Sequence, residues 1–297
     1  MPTGAARCLS RGCITEGRPA PGRFADLGRR GRPSIRRGAD AVRTKDEIVK
    51  DWLPRYTGRP LDTFGHYILL SNFAHYIERF AERFGVEVLG RDKPMQSATA
   101  EDLTILNFGM GSAMAATVMD LLSAIEPKAV LFLGKCGGLK KTKVGDFLLP
   151  IAAIRGEGTS NDYMPPEIPA LPSFRLQRAV SAMIVKHGLD YWTGTVYTTN
   201  RRVWEHDEKF KQYLRDIRAS GIDMETATIF IVGFVNHIPK GALLLVSDSP
   251  MTPEGVKTSR GDVLITEKYI KPHLEIGIDA LIELRDSGES VVHLRFE

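Results

Sequence analysis

Val130-Leu131-Phe132-Leu133 is apolar without alternation, and it belongs to a series of short β-rich runs at 103–108, 129–133, 146–154, 193–198 and 242–246. A strand apolar on both faces must be covered on both faces, so such runs predict a sheet buried between helices. Stretches at 112–125, 176–186, 224–235 and 265–284 supply those helices. Residues 63–84 also read as an amphipathic helix, with Tyr67, Leu70, Phe73, Tyr76, Ile77 and Phe80 recurring at helical spacing. Strands alternating with helices predict one α/β domain over residues 45–297.

Composition supports a packed domain: 43% of the 297 residues are hydrophobic, 26% are charged and the mean hydropathy is −0.15. Disorder throughout is excluded. No apolar run approaches the roughly 18 to 20 residues that span a bilayer, so no integral membrane role is expected. Cys8, Cys13 and Cys136 form neither an even framework nor a CxxC pair, which fits a reducing cytoplasm better than a disulfide scaffold or thiolate zinc site. The seven histidines show no HxxxH or HExxH spacing. No metal or cofactor is expected.

The net charge of +4 is unevenly placed. Residues 1–43 hold ten Arg, no Lys and three acids, a net of +7 that leaves −3 on the other 254 residues. The excess sits on one segment, so neither nucleic acid nor membrane is expected as a partner of the domain. Residues 1–44 are rich in Arg, Gly and Pro without periodicity and are expected to be disordered. They read as an organelle transit peptide, a nucleic-acid-binding arm or, the favoured reading, a leader translated from a start codon placed too early.

In α/β folds the chemistry gathers where strands end. Gly109-Met110-Gly111-Ser112 offers backbone amides at a helix start, either an anion site or a plain turn; it lacks the third glycine of a dinucleotide loop and the Gly-Lys-Ser/Thr of a P-loop. Gly134-Lys135-Cys136-Gly137-Gly138 implies close approach by a ligand or by another chain segment, and Cys136 is either a nucleophile or a small packed residue. In Gly221-Ile222-Asp223-Met224-Glu225 a carboxylate amid apolar residues needs donors, such as sugar hydroxyls, unless it serves the helix dipole. Asp248 ends an apolar strand, where partial burial would raise its pKa toward that of a general acid; a turn or capping aspartate is the alternative.

These motifs, together with 193–199, Trp204-Glu205 and 273–278, resemble the AMP nucleosidase branch of the nucleoside phosphorylase and nucleosidase superfamily across about residues 50 to 290. The resemblance implies a three-layer α/β/α sandwich on a central mixed sheet, usually hexameric, that hydrolyses AMP to adenine and ribose 5-phosphate. Asp248, beside Ser247, matches the acid that assists the departing purine. Glu225 matches the carboxylate that holds the ribose hydroxyls, with Met224 beneath the sugar. Tyr197 matches a residue stacked on the purine, unless it is a core tyrosine. The loop from Gly109 to Ser112 matches the phosphate site of phosphorylases, here holding water or inorganic phosphate. Arg201, Arg202, Lys257 and Arg260 are the candidate partners of the 5′-phosphate.

Two departures stand out. Lys135 occupies a position where the longer bacterial form is expected to carry His, and only about 50 residues of unpatterned chain stand here before the catalytic region, so control by ATP is not expected. A purine nucleoside phosphorylase using inorganic phosphate and a non-catalytic nucleotide sensor are the alternatives. Deletion of residues 1–43 is expected to leave folding and base release unchanged, read by circular dichroism and adenine assay; a large loss of activity would contradict the leader reading.

Overall fold

The computed structural model describes residues 42–252, 255 and 259–288. The expectation of disorder up to residue 41, Cys8, Cys13, Lys257 and the side chain of Arg260 lie outside the described residues. Helix α1 (Lys45–Thr57) starts with a capping box in which Thr44 Oγ1 accepts from the Glu47 amide and the Glu47 carboxylate accepts from the Thr44 amide. The chain then forms β1 (Tyr67–Ser71), α2 (Ala74–Phe84), β2 (Ser97–Ala100), β3 (Leu103–Asn107), α3 (Ser112–Leu122), β4 (Ala129–Gly138) and β5 (Phe147–Gly156). After these come α4 (Phe174–Lys186), β6 (Tyr191–Thr199), α5 (Glu208–Asp216), β7 (Gly221–Asp223), α6 (Thr226–Val235), β8 (Lys240–Asp248) and α7 (Ser259–Ser287).

The strands form one mixed sheet in the order β2-β3-β1-β4-β7-β6-β5-β8. A further parallel pairing of β4 with β8 closes the last five strands into a ring. β4 is the hub: β8 runs along it, β1 pairs with its first half from Ala129 to Phe132, and β7 pairs antiparallel with Gly137 and Gly138. Side-chain alternation on β4 sends Val130 and Phe132 into one core with α3 and α6, and Leu131 and Leu133 into another with α2, α4 and α7. Two helical layers therefore cover the sheet, as the unalternated runs require. Among the described residues no helix is long and apolar enough to cross a membrane.

Residues 63–84 are not one helix. Tyr67–Ser71 is a fully buried parallel strand between β3 and β4, and the helix begins only at Ala74. Five apolar or small residues in a row satisfy helical and buried-strand patterns alike, and burial on both faces decides for the strand. β4 likewise continues five residues past the apolar run at 129–133, so Gly134, Gly137 and Gly138 lie within the strand and not after it. The close approach those glycines permit is by the chain itself: a Cβ at Gly134 would strike the Phe132 ring, and one at Gly137 would come within 2.9 Å of Pro250. The sequence reading did not include α1, β2 and α5.

Phe132 is fully buried and meets Phe108 edge-on, with ring centroids 5.8 Å apart. Its truncation to Ala empties the core that it shares with Phe108. Phe132→Ala is expected to destabilise the protein by about 3 to 5 kcal/mol in denaturant unfolding, and a cost below about 1 kcal/mol would contradict this packing.

Candidate active site

The ends of β4, β6, β7 and β8, with the segment that follows β1, converge on a cleft of about 100 Å³ with its mouth open to solvent. Asn72 and Phe73 enter it after β1, Lys135 and Cys136 from β4, Thr199 from the end of β6, and Arg201, Arg202, Trp204 and Glu205 from the loop after β6. Asp223, Met224 and Glu225 come from the junction of β7 with α6, and Ser247 and Asp248 from the end of β8.

The junction holds two buried carboxyls two residues apart. Asp223 is 5% exposed and Glu225 2%. Asp223 accepts from Thr198 Oγ1 at 2.7 Å, from the Thr226 amide at 2.8 Å, from Thr226 Oγ1, and from the Glu225 amide at 3.3 Å. It thereby caps the first turn of α6, a helix buried almost throughout. Glu225 accepts from the Gly111 amide at 2.7 Å, from its neighbour's amide at Met224, and from the Asn72 side chain. Burial raises the pKa of both acids; for Glu225 the charge of nearby Asp223 adds to it, and its pKa rises from 4.5 to about 8. Both acids line the cleft, and the service to the helix N-terminus falls on Asp223.

Asp248 stands on the opposite side of β4. A shift in the β4–β8 register after Cys136 sets it beside Gly137, where it is half-buried and receives a hydrogen bond of 2.6 Å from Ser247 Oγ. Half-burial agrees with the sequence expectation for this acid.

The glycine loop is built differently from a free anion cradle. Gly109 and Gly111 have φ of +83° and +95°, the region open chiefly to glycine. Their amides are already engaged, Gly109 with Asn107 Oδ1 at 3.1 Å and Gly111 with Glu225. Ser112 is buried and donates to the Met224 carbonyl at 2.6 Å. The loop therefore clasps the β7–α6 junction, and of its four residues Met110 lines the cleft.

Met224, Ser247, Arg201 and Arg202 line the cleft as the motif positions suggest. Arg201 also pairs with Asp207 at 3.0 Å and lies over the Phe210 ring, while Arg202 approaches Glu205 at 3.7 Å. Tyr197 is a correction. It is 8% exposed, packs edge-on against Phe210 and Tyr213, and fills the space that the absent side chain of Gly156 leaves, away from the cleft lining. Among the described residues Phe73 and Trp204 are the aromatic rings in the lining, and Lys135 Nζ sits 4.3 Å from the Phe73 centroid. The Cys136 thiol is buried and its pKa is pushed well up by burial and the nearby acids, which makes it a poor nucleophile. Asn72, Phe73 and the capping role of Asp223 escaped the sequence reading. The first two follow a strand that was read as helix. Among the described residues no three His, Cys, Asp or Glu side chains gather as a metal site.

Comparison with known proteins agrees with this architecture. The family model described as "Phosphorylase superfamily" matches residues 68–276. The chain is 29% identical to AMP nucleosidase of Escherichia coli strain K12 over 84% of its own length and 61% of that protein, so it spans about three fifths of that relative. A crystal structure of AMP nucleosidase from Bacteroides thetaiotaomicron VPI-5482 superposes with a TM-score of 0.74 at 61% identity, covering 82% of this chain and 100% of that one. Uridine phosphorylase from Vibrio fischeri ES114 shares the fold at 20% identity, with a TM-score of 0.65 over 76% of this chain and 94% of that one. The chain belongs to the phosphorylase superfamily.

Proposed function

We propose that this chain hydrolyses the N-glycosidic bond of AMP, giving adenine and ribose 5-phosphate. The observation that carries the proposal is one cleft with a half-buried acid, Asp248, on one side of β4 and a buried acid, Glu225, on the other. The 61% identity to a protein named AMP nucleosidase, along that protein's whole length, supports the choice of substrate.

The carbon–nitrogen bond breaks toward an oxocarbenium ion, and its electron pair leaves with the base. Asp248 gives a proton to N7 of the departing adenine, steadied in position by Ser247 Oγ. Glu225 receives the ribose 2′- and 3′-hydroxyls. Burial and the Asp223 charge push its pKa up, hydrogen bonds from those hydroxyls favour its charged form, and that charge faces the positive charge growing on the sugar. Such an interaction strengthens toward the transition state and accelerates the chemical step. Arg201 and Arg202 take the 5′-phosphate through guanidinium N–H groups beyond those committed to Asp207 and Glu205. The Gly111 amide is held by Glu225, which supports water over phosphate as the nucleophile. Assembly into a homohexamer belongs to the same proposal, and exposed Ile151, Phe174 and Trp192 offer apolar surface for it.

Chromatography of products from AMP, adenosine and inosine, each with and without inorganic phosphate, tests the proposal. Adenine and ribose 5-phosphate from AMP without phosphate are expected. Phosphate-dependent release of base from adenosine or inosine would make the protein a phosphorylase, and no turnover would make it a nucleotide-binding module. Asp248→Asn is expected to lower kcat about 10²- to 10⁴-fold with little change in KM; steady-state kinetics showing near-normal kcat would remove Asp248 from the mechanism.

A further inference from the structure

Asn72 has one half of its amide unused. Its side chain lines the cleft and donates to the Glu225 carboxylate, which occupies the amide N–H. Its carbonyl oxygen, Oδ1, is buried and accepts no hydrogen bond. Buried amide oxygens are nearly always matched, so an unmatched one in a cleft marks the place of a donor supplied by a ligand or water.

The topology says which donor belongs there. Asn72 follows β1, which pairs with β4 on the edge that β7 also uses, whereas Asp248 ends β8 on the other edge. β4 lies between them, with Asp248 level with Gly137 and the end of β1 level with the middle of β4, so the two residues stand on different walls of the cleft. A ribose between these walls has its base drawn toward Asp248 and its opposite face turned to Asn72. Displacement of the base requires a nucleophile on that opposite face.

We propose that Asn72 is the positioning residue for the attacking water, its Oδ1 accepting one of the two water protons in a hydrogen bond. This rests on the AMP-hydrolysis reading of the same cleft. As the C1′–N9 bond breaks, adenine takes the electron pair and receives the Asp248 proton at N7. The water oxygen bonds to C1′, and its excess proton leaves to solvent at the open mouth, from which Asp248 is reprotonated. Asn72 orients the water and takes no proton. Glu225 is held by the same amide, so the sugar and the water are placed against each other by one side chain.

Competition between water and methanol tests this without depending on total activity. AMP turnover in dilute methanol partitions between ribose 5-phosphate and its methyl glycoside, and the ratio reports how well water is held. Asn72→Leu removes the acceptor and is expected to lower kcat about 10- to 100-fold, to leave KM for AMP within about twofold, and to raise the methyl glycoside fraction several-fold. Asn72→Asp keeps an acceptor and is expected to retain the wild-type ratio. An unchanged ratio in Asn72→Leu, or a raised KM with kcat retained, would overturn the assignment and make Asn72 a partner of the ribose. Absence of adenine release from AMP by the wild-type protein would instead overturn the hydrolysis reading on which the assignment rests.

Discussion

Two carboxyls buried two residues apart at the β7–α6 junction set the terms for everything around them. A buried acid must be matched by donors or stay protonated, and the donors for Asp223 and Glu225 come from four separate places: Thr198 on β6, Thr226 on α6, Gly111 before α3 and Asn72 after β1. The requirement to satisfy this pair therefore draws the strand ends into one cleft. Asp223 has the richer set of hydrogen bonds and serves the helix. Glu225, left with fewer and facing its neighbour's charge, is the acid free to change state with the substrate.

The ring closed by the β4–β8 pairing supplies the rigidity this arrangement needs. β4 touches three strands that each deliver a site residue, with β1 leading to Asn72, β7 to Glu225 and β8 to Asp248. Its glycines let Pro250 and the Phe132 ring approach closely where a side chain would hold them off. Placement on a buried sheet under two cores fixes these groups better than loops would. The cations are placed more loosely, since Arg201 and Arg202 lie on the segment after β6 and remain half-exposed.

Much of this was legible in the chain. Unalternated apolar runs predict the covered sheet, and the acids at 225 and 248 stand out because charge at the end of an apolar strand demands a reason. What stayed hidden has physical causes. Tyr67–Ser71 satisfies helix and buried-strand patterns equally, and reading it as helix concealed that Asn72 sits at a strand end. Tyr197 bears the same residue type in a core as beside a purine; its neighbours Phe210 and Tyr213 are distant in sequence and decide for the core. The glycine loop signals exposed amides, but a long-range contact with Glu225, 114 residues away, takes up the Gly111 amide.

Glu225 is buried with its pKa pushed up, and unfolding free energies across pH for the wild type and Glu225→Gln measure that directly. In the folded protein this pKa is about 8, against an ordinary value of 4.5. Below pH 4.5 both folded and unfolded states are protonated and the contribution to stability is complete. Between pH 4.5 and about 8 the folded state keeps a proton that the unfolded state has lost, so this contribution falls as pH rises. The wild type is therefore predicted to lose stability relative to Glu225→Gln through this interval and to level off above it. Parallel curves for the two proteins would show a solvated carboxylate of ordinary pKa and would contradict the account.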